Sequence, residues 1–181
     1  MHKIGHLISS SKYAGIEQHV NELVSELHNT DIEASIIGDK KIKKHFNDLH
    51  FINFANNYRF NPFNIIKLYK ILKQNDIHLL HCHGNKSILL GSILKNFLNI
   101  KLVATVHAFK SRQQSVNNYD VVIKVNKSIK LYHPNVVLVR NWVKPNLSSK
   151  ISTRDGPFIA IGRLERVKRF NLLIDAWEEI D

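Results

Sequence analysis

Short apolar runs rich in branched residues alternate with longer segments of helical periodicity through most of this 181-residue chain. Runs of this length predict buried strands, and they lie at residues 3–8, 32–37, 50–54, 77–83, 100–106, 119–125 and 135–139. Strands that alternate with helices form βαβ units, in which the strands run parallel. The sequence therefore predicts an α/β fold with a Rossmann-like parallel sheet flanked by helices.

The segments between these strands predict helices with one apolar face. They are residues 16–27, 61–74 and 88–97, together with a small helix near residues 127–132. Asn61 and Pro62 form a good helix start, because asparagine caps the first N–H groups and proline suits the first helical position.

A polar, turn-rich segment at residues 143–156 interrupts this pattern and has the composition of an interdomain linker. We therefore place a first domain at residues 1–142 and the start of a second at residues 157–181. In the second, an apolar run at residues 158–161 predicts a strand, and an amphipathic helix follows. One strand and one helix cannot bury their own apolar faces, so this second Rossmann-like domain is expected to be incomplete.

The chain is strongly basic, since 26 Lys and Arg residues against 15 Asp and Glu residues give a formal net charge of +11. This balance favours polyanionic partners such as nucleic acid, acidic lipid surfaces or phosphorylated small molecules. The lysine cluster at residues 40–44 is not part of a recognisable RNA-binding module, and no zinc-finger spacing is present. Nucleic acid is therefore not the expected partner.

Cys82 is the single cysteine, which excludes an internal disulfide and suits a reducing compartment. The N-terminal residues lack the layout of a signal peptide, and no apolar run approaches the roughly 20 residues of a membrane span. We expect a cytoplasmic protein, with peripheral attachment to the inner face of the plasma membrane left open.

Two loops carry features of anion-binding sites. Gly15 stands at the start of a predicted helix, where unpaired N–H groups favour an anion and glycine permits a close approach of the backbone. Arg163 and Lys168 follow the predicted strand of the second domain and offer cations to phosphate oxygens. A structural glycine and a solvated basic turn are the respective alternatives.

Histidines concentrate at the ends of predicted strands. His83 closes one strand and His107 closes the next, so both side chains are expected in the crevice above the carboxyl edge of the sheet. His107 is a candidate general acid, or a hydrogen-bond donor to a substrate hydroxyl. Alternation sends Cys82 to the face opposite His81 and His83, and a fourth ligand is not evident, so we predict no metal site.

Six segments, taken in order, resemble a single family of enzymes. They are residues 14–17 (Gly-Gly-x-Glu in the family), 76–84 (similar to Asp-Ile-(x)-x-His-x-His-Gly), 105–107, 119–126, 135–143 and 158–168 (Gly-Arg-Leu-x-x-x-Lys). The family is that of the two-domain glycosyltransferases of the GT-B fold, specifically the large retaining family 4 that uses nucleotide sugars.

The resemblance implies transfer of a sugar from a nucleotide-diphosphate sugar to an acceptor, with retention at the anomeric carbon and without a metal ion or other cofactor. It assigns His107 to the donor-sugar region, and Gly15, Arg163 and Lys168 to the diphosphate. The residues that it places in the acceptor side or the crevice are Glu17, His83 and Asn141. By analogy, the acceptor is a cell-surface polysaccharide or a lipid-linked, lipopolysaccharide-type saccharide at the membrane face.

The chain also departs from the family pattern. Ala14 replaces the first glycine of the loop, Trp142 replaces a glycine, and Asn126 stands where serine is usual. The family's Glu-x7-Glu segment is not found before Asp181, so we expect that this chain alone transfers little or no sugar.

Two other hypotheses stay open. A truncated or split-gene product, inactive alone, would act only with a partner chain that covers the apolar face of the last helix. A basic Rossmann-like domain that binds nucleic acid is the weaker one, and it would bind oligonucleotides in a salt-sensitive manner.

Overall fold

Seven parallel strands form one sheet in the computed structural model, which describes residues 3–56, 61–108, 116–142 and 158–179. The strands are β1 (Lys3–Ile8), β2 (Glu33–Gly38), β3 (Phe51–Asn53), β4 (Leu79–His83), β5 (Lys101–Val106), β6 (Val121–Lys124) and β7 (Val136–Leu138). Their order in the sheet is β3-β2-β1-β4-β5-β6-β7. The predicted α/β fold with a Rossmann-like parallel sheet is confirmed.

Within the described residues, three α-helices connect these strands: α1 (Gly15–Leu27), α2 (Pro62–Gln74) and α3 (Asn85–Leu94). Asn61 caps α2 as predicted, because its side chain accepts a hydrogen bond from the N–H of Phe63. A short 3-10 helix, Lys40–His45, follows β2 and is capped by the side chain of Asp39. In the described ranges, no helix has the length and apolar character that a bilayer crossing requires.

The sheet buries both of its faces. Successive residues of β1 point to opposite sides, so Leu7 joins one apolar cluster and Ile8 the other. The first cluster lies under α2 and α3 and includes Leu7, Ile37, Leu68, Leu72, Leu80, Ile88, Leu94 and Leu102. The second lies under α1 and the 3-10 helix and includes Ile8, Val20, Val24, Ile36, Ile42 and Phe46.

The chain changes direction across the sheet at β1. From β1 it proceeds outward through β2 and β3, and then returns to place β4 on the other side of β1. The connections that leave the carboxyl ends of β1 and β4 therefore diverge to opposite faces. A crevice opens between them, and this is the position at which open parallel sheets bind ligands.

The predicted small helix near residues 127–132 is wrong. The segment forms a turn, in which the side-chain oxygen of Asn126 accepts hydrogen bonds from the N–H and the hydroxyl of Ser128. Asparagine side chains compete with helix formation by bonding to the nearby backbone. The backbone of this segment is irregular, but its apolar residues still pack into the core, as the buried Ile129 does.

The chain divides into two compact units, Met1–Trp142 and Val143–Asp181, and each is described here by itself. In the second, a 3-10 helix (Arg166–Lys168) precedes helix α4 (Phe170–Glu178). The predicted strand at residues 158–161 is wrong, because a strand needs a neighbouring strand for its N–H and C=O groups and these residues pair with none in the described chain. The predicted linker at residues 143–156 lies outside the described residues, and the acceptor-side and donor-side roles of the two domains stay predictions.

Candidate functional site

The loop after β1 is organised by one carboxylate. Glu17, in the first turn of α1, is buried and accepts hydrogen bonds from the N–H of Ala14, at 2.9 Å, and from the hydroxyl of Ser10. This is the capping arrangement in which an acidic side chain reaches back to the residue before the helix. Glu17 therefore holds the loop in place, and its carboxylate is already engaged by that loop.

Gly15 is the first residue of α1 and is unobstructed. A methyl group in place of its hydrogen would meet no atom within 4 Å. The first N–H groups of a helix have no partner within it and attract negative charge. Gly15 therefore leaves open a helix N-terminus at the carboxyl edge of the sheet, as the sequence predicts.

A second helix N-terminus lies beside the first. Gly84 directly follows β4 with φ of +77°, a conformation that favours glycine, and α3 begins at the next residue. The hydroxyl of Ser87 in α3 donates to that of Ser9 in the loop after β1, at 3.0 Å. A methyl group on Gly84 would lie 3.3 Å from Ile16 Cδ1 in the first turn of α1, so the helices that follow β1 and β4 begin next to each other.

A polar cavity of about 400 Å³ adjoins this edge. Its lining comes from the loops after β1, β2 and β3 and from α3, and comprises Ser9, Ser10, Ser11, Lys12, Asp39, Phe54, Asn56 and Lys86. Asn56 is buried, and its side-chain NH₂ has no hydrogen-bond partner in the described part of the chain. The cavity therefore offers hydroxyls, two lysines and a spare amide donor to a hydroxylated or anionic ligand.

Five histidines gather on the face of the sheet that α1 covers. His6 comes from β1, His81 and His83 come from β4, His107 follows β5 and His19 comes from α1. A chain of contacts links them: His6 Nδ1 lies 3.3 Å from His83 Nε2, and His83 Nδ1 lies 3.4 Å from His107 Nε2. The sequence correctly places His83 and His107 together.

Sequence analysis missed His6 and His19. Parallel register sets His6 of β1 directly beside His81 of β4, and the helical position of His19 turns its ring toward His107, 4.9 Å away between ring centres. One pattern in the sequence could have indicated His6. His6, His81 and His83 have the same alternation phase, on strands that are neighbours in a doubly wound sheet, so their side chains lie on one face.

Burial keeps these imidazoles neutral. It lowers the pKa of His6 to about 3 and that of His107 to about 4, and neighbouring histidines act in the same direction. The pKa of His83 is lowered well below its usual value for the same two reasons. At neutral pH, His107 is therefore a neutral hydrogen-bonding group, which favours the predicted hydrogen bond to a substrate hydroxyl over general acid catalysis by an imidazolium.

Cys82 points away from this cluster, as alternation along the strand predicts. It is fully buried on the other face of the sheet, beside Gly91 of α3 and the hydroxyl of Tyr119. Burial raises the pKa of its thiol to about 12, so the thiolate does not form at neutral pH. Cys82 therefore has no part in the chemistry of the histidine cluster.

The remaining predicted site residues lie at or beyond the end of the first unit. Asn141 is exposed and precedes Trp142, whose indole ring lies 4.8 Å from the ring of His19. In the second unit, Arg163 pairs with Glu165 at 2.9 Å. The exposed Lys168 donates its backbone N–H to the carbonyl of the same Glu165.

A model of Glycosyltransferase Family 4 matches residues 13–133, well over half of the chain. Three similar solved structures are a glycosyltransferase from Rickettsia africae ESF-5 (17% identity, TM-score 0.61, covering 77% of this chain and 42% of that one), Anabaena HepE in complex with UDP and glucose (14%, 0.61, 78% and 44%) and the lipopolysaccharide outer core galactosyltransferase WaaB in its apo form (11%, 0.65, 82% and 50%). At these identities the likeness concerns the fold, and the chain spans half or less of each structure's length. A search of curated protein sequences finds no match.

Proposed function

Because the chain belongs to Glycosyltransferase Family 4, we propose that it is the acceptor-side part of an enzyme that transfers a sugar from a nucleotide-diphosphate sugar with retention. One observation carries the proposal. The start of α1 at Gly15, the start of α3 after Gly84, and the rings of His83 and His107 meet at the crevice between β1 and β4. That crevice is where a parallel sheet holds phosphorylated ligands.

The donor diphosphate needs fixed positive charge. Its leaving oxygen gains negative charge as the glycosidic bond breaks, and preorganised donors stabilise that charge. In this proposal the N–H groups at Gly15 supply part of the stabilisation, and the side chains of Arg163 and Lys168 supply cations in the second unit. The step then needs no metal ion at the diphosphate. HepE, one of the similar structures, is solved with UDP and glucose.

In this proposal His107 binds the donor sugar by a hydrogen bond. Its pKa of about 4 makes it neutral at physiological pH, so its ring donates or accepts a hydrogen bond without carrying charge. His83 orients that ring from the buried side, at 3.4 Å. Glu17 acts on this site by shaping the loop before α1, and Asn141 lies at the rim of the same unit, before Trp142.

The polar cavity suits a saccharide acceptor. Its three serine hydroxyls and the spare donor of Asn56 match the hydroxyls of a sugar, while Lys12 and Lys86 favour a phosphate or acidic group. A lipid-linked or lipopolysaccharide-type acceptor fits these requirements. The net charge of +11 adds attraction to an acidic membrane surface at the cytoplasmic face.

Titration of the chain with a panel of nucleotide-diphosphate sugars, followed by ligand-observed NMR at physiological salt, tests the proposal. We expect saturable binding of at least one sugar nucleotide, weakened about 10-fold by His107→Ala, a loss of about 1.4 kcal/mol. His28→Ala, at the exposed end of α1, is the matched control and should change nothing. The proposal is wrong if no member of the panel binds, or if oligonucleotides bind while sugar nucleotides do not.

A second candidate is action together with a partner chain, which one observation favours. Phe158, Ile161 and Leu164 in the second unit have exposed fractions of 88%, 93% and 92%, and Leu173, Ile174 and Trp177 of α4 are about half exposed. Apolar surface of this kind is typical of an interface. Size-exclusion chromatography with light scattering tests it, since a stable, monodisperse monomer argues against an obligatory partner.

A further inference from the structure

Three histidine side chains converge on the face of the sheet that α1 covers. His19, His83 and His107 each offer one ring nitrogen, and these nitrogens all lie within 4.8 Å of one another. We propose that His19, His83 and His107 bind one transition-metal ion of the zinc class, with the fourth coordination position left open.

The spacing of the ring nitrogens fits such an ion. Zinc binds imidazole nitrogen at about 2.0–2.1 Å, so two ligands of a tetrahedral site stand about 3.3–3.4 Å apart. His83 Nδ1 and His107 Nε2 are 3.4 Å apart, which matches the separation of two ligands of one tetrahedral ion. His19 is half-buried on the surface helix α1, and its ring nitrogen lies within 4.8 Å of those of His83 and His107, where it can serve as the third ligand.

His6 supplies the support that ligating histidines usually have. A histidine that binds metal through one ring nitrogen donates the N–H of the other to a neighbouring acceptor, which sets its orientation and tautomer. When His83 ligates through Nδ1, its Nε2–H donates to His6 Nδ1 at 3.3 Å. His6 is almost fully buried, and its Nε2 has no hydrogen-bond partner in the described ranges. Within those ranges the His6 ring therefore makes its hydrogen bond to His83 alone. We assign His6 as the positioning residue for His83.

A second group of three, His6, His81 and His83, is equally close but is less suited to the ion. All three side chains are buried, and His81 Nε2 is already 2.7 Å from the hydroxyl of Thr105. In the first group, His19 and His107 are partly exposed, which lets an ion enter and leaves space for a fourth ligand. The first group also differs from the combination of His81, Cys82 and His83, because alternation along β4 places Cys82 on the opposite face of the sheet from the two histidines.

The inference goes beyond the proposed function, because metal binding is measured on the chain without donor or acceptor. Zn²⁺ is titrated into the metal-free chain by calorimetry, and Co²⁺ is used as a probe because its visible absorption reports tetrahedral geometry. We expect one ion per chain and an intense tetrahedral Co²⁺ spectrum. His19→Ala and His107→Ala, both at partly exposed positions, should each weaken Zn²⁺ binding by more than about 100-fold, beyond the 10- to 100-fold that loss of a supporting contact costs.

Two further variants test the assignment of His6, and one serves as the control. His6→Leu removes the acceptor for His83 and should weaken Zn²⁺ binding by about 10- to 100-fold, while His6→Asn keeps a side-chain acceptor and should restore part of the affinity. His28→Ala, at the exposed C-cap of the helix that carries His19, should leave binding unchanged. Circular dichroism confirms that each variant is folded. The proposal is overturned if His19→Ala and His107→Ala bind Zn²⁺ like the parent, if His28→Ala weakens binding equally, or if Co²⁺ gives no tetrahedral spectrum.

Discussion

Helices α1 and α4 both have one apolar face, but only one of the two faces is buried. In the first unit, α1 packs Val20 and Val24 against β1 and β2. In the second, α4 has no buried side chain, and Trp177 is half exposed. The comparison shows that an amphipathic pattern determines which face of a helix can be buried, whereas burial itself depends on the surface opposite that face. Each of the following predictions tests this difference between the units.

The largest difference is expected from the same substitution made in each unit. Leu80→Ala removes a fully buried side chain of β4 and should lower the free energy of unfolding by about 2–5 kcal/mol, since lost transfer free energy and a cavity add together. Leu164→Ala removes a side chain that is 92% exposed and should change the free energy of unfolding by less than about 0.5 kcal/mol.

Urea unfolding followed by tryptophan fluorescence measures both variants. The two tryptophans lie one in each unit, at Trp142 and Trp177, so Trp177→Phe leaves a reporter for the first unit alone. Equal losses for Leu80→Ala and Leu164→Ala would contradict the comparison, because they would show that Leu164 is covered in solution.

A smaller difference is expected from adding a methyl group. In Gly91→Ala the new Cβ would overlap the Tyr119 hydroxyl and lie 2.7 Å from Cys82 Sγ, inside the packed core. Overpacking of this kind costs about 1–3 kcal/mol. Gly162→Ala would meet the ring edge of Phe170, at 3.1 Å, and Lys168 Cγ, at 3.7 Å, in the less packed second unit.

We therefore expect Gly91→Ala to lower the urea midpoint clearly and Gly162→Ala to shift it little. Tyr119→Phe in the Gly91→Ala background should relieve part of the overlap, although it also removes the buried hydrogen bond from Tyr119 to the carbonyl of Ile88. A Gly162→Ala variant as unstable as Gly91→Ala would show that the loop before α4 is as tightly packed as the core.

The smallest difference concerns acidic side chains and depends on pH. Burial alone would raise the pKa of Asp120, but hydrogen bonds from the N–H of Leu102 and from Lys95 and Lys101 outweigh it and hold the pKa well below its usual value. A carboxyl group whose pKa is lower in the folded state stabilises the fold above its unfolded pKa, about 3.9, and this stabilisation is lost as pH falls toward the folded pKa.

Asp120→Asn should therefore cost about 1–2 kcal/mol at pH 7 and less at pH 3, because the unfolded chain already binds a proton at this carboxyl group at pH 3, which removes part of the stabilisation that the charged acceptor provides. The matched variant Glu165→Gln breaks an exposed pair with Arg163 and should cost less than about 0.5 kcal/mol at either pH. Urea titrations at the two pH values measure both, and a constant penalty for Asp120→Asn from pH 7 to pH 3 would be inconsistent with the lowered pKa.

The sequence was sufficient for the parallel sheet and for most of its helices, because burial on both faces leaves a clear record of apolar runs and periodicity. It failed at two segments, one for want of a distant partner and one because of a local side-chain hydrogen bond. Residues 158–161 have the composition of a strand without a neighbouring strand, and the side chain of Asn126 forms a turn where apolar spacing indicates a helix.

The candidate site shows the same limit more strongly. His83 and His107 were found because both end strands, and strand ends share one edge of a parallel sheet. His6 and His19 lie inside a strand and a helix, where a histidine does not stand out, and only the register of β1 against β4 and the packing of α1 bring them to the cluster. Arg163 and Lys168 match a motif, but their proposed role as diphosphate ligands stays a prediction.

The central position of β1 has a consequence for how the protein is made. Ile8 pairs with His83, so one edge of β1 lacks its partner in this sheet until β4 has been synthesised. Closing so long a loop is entropically costly, and contacts distant in sequence slow folding. We expect the folding nucleus to form late, after β4 has emerged from the ribosome. Until then, the unpaired edge of β1 can pair with the wrong strand or with another chain.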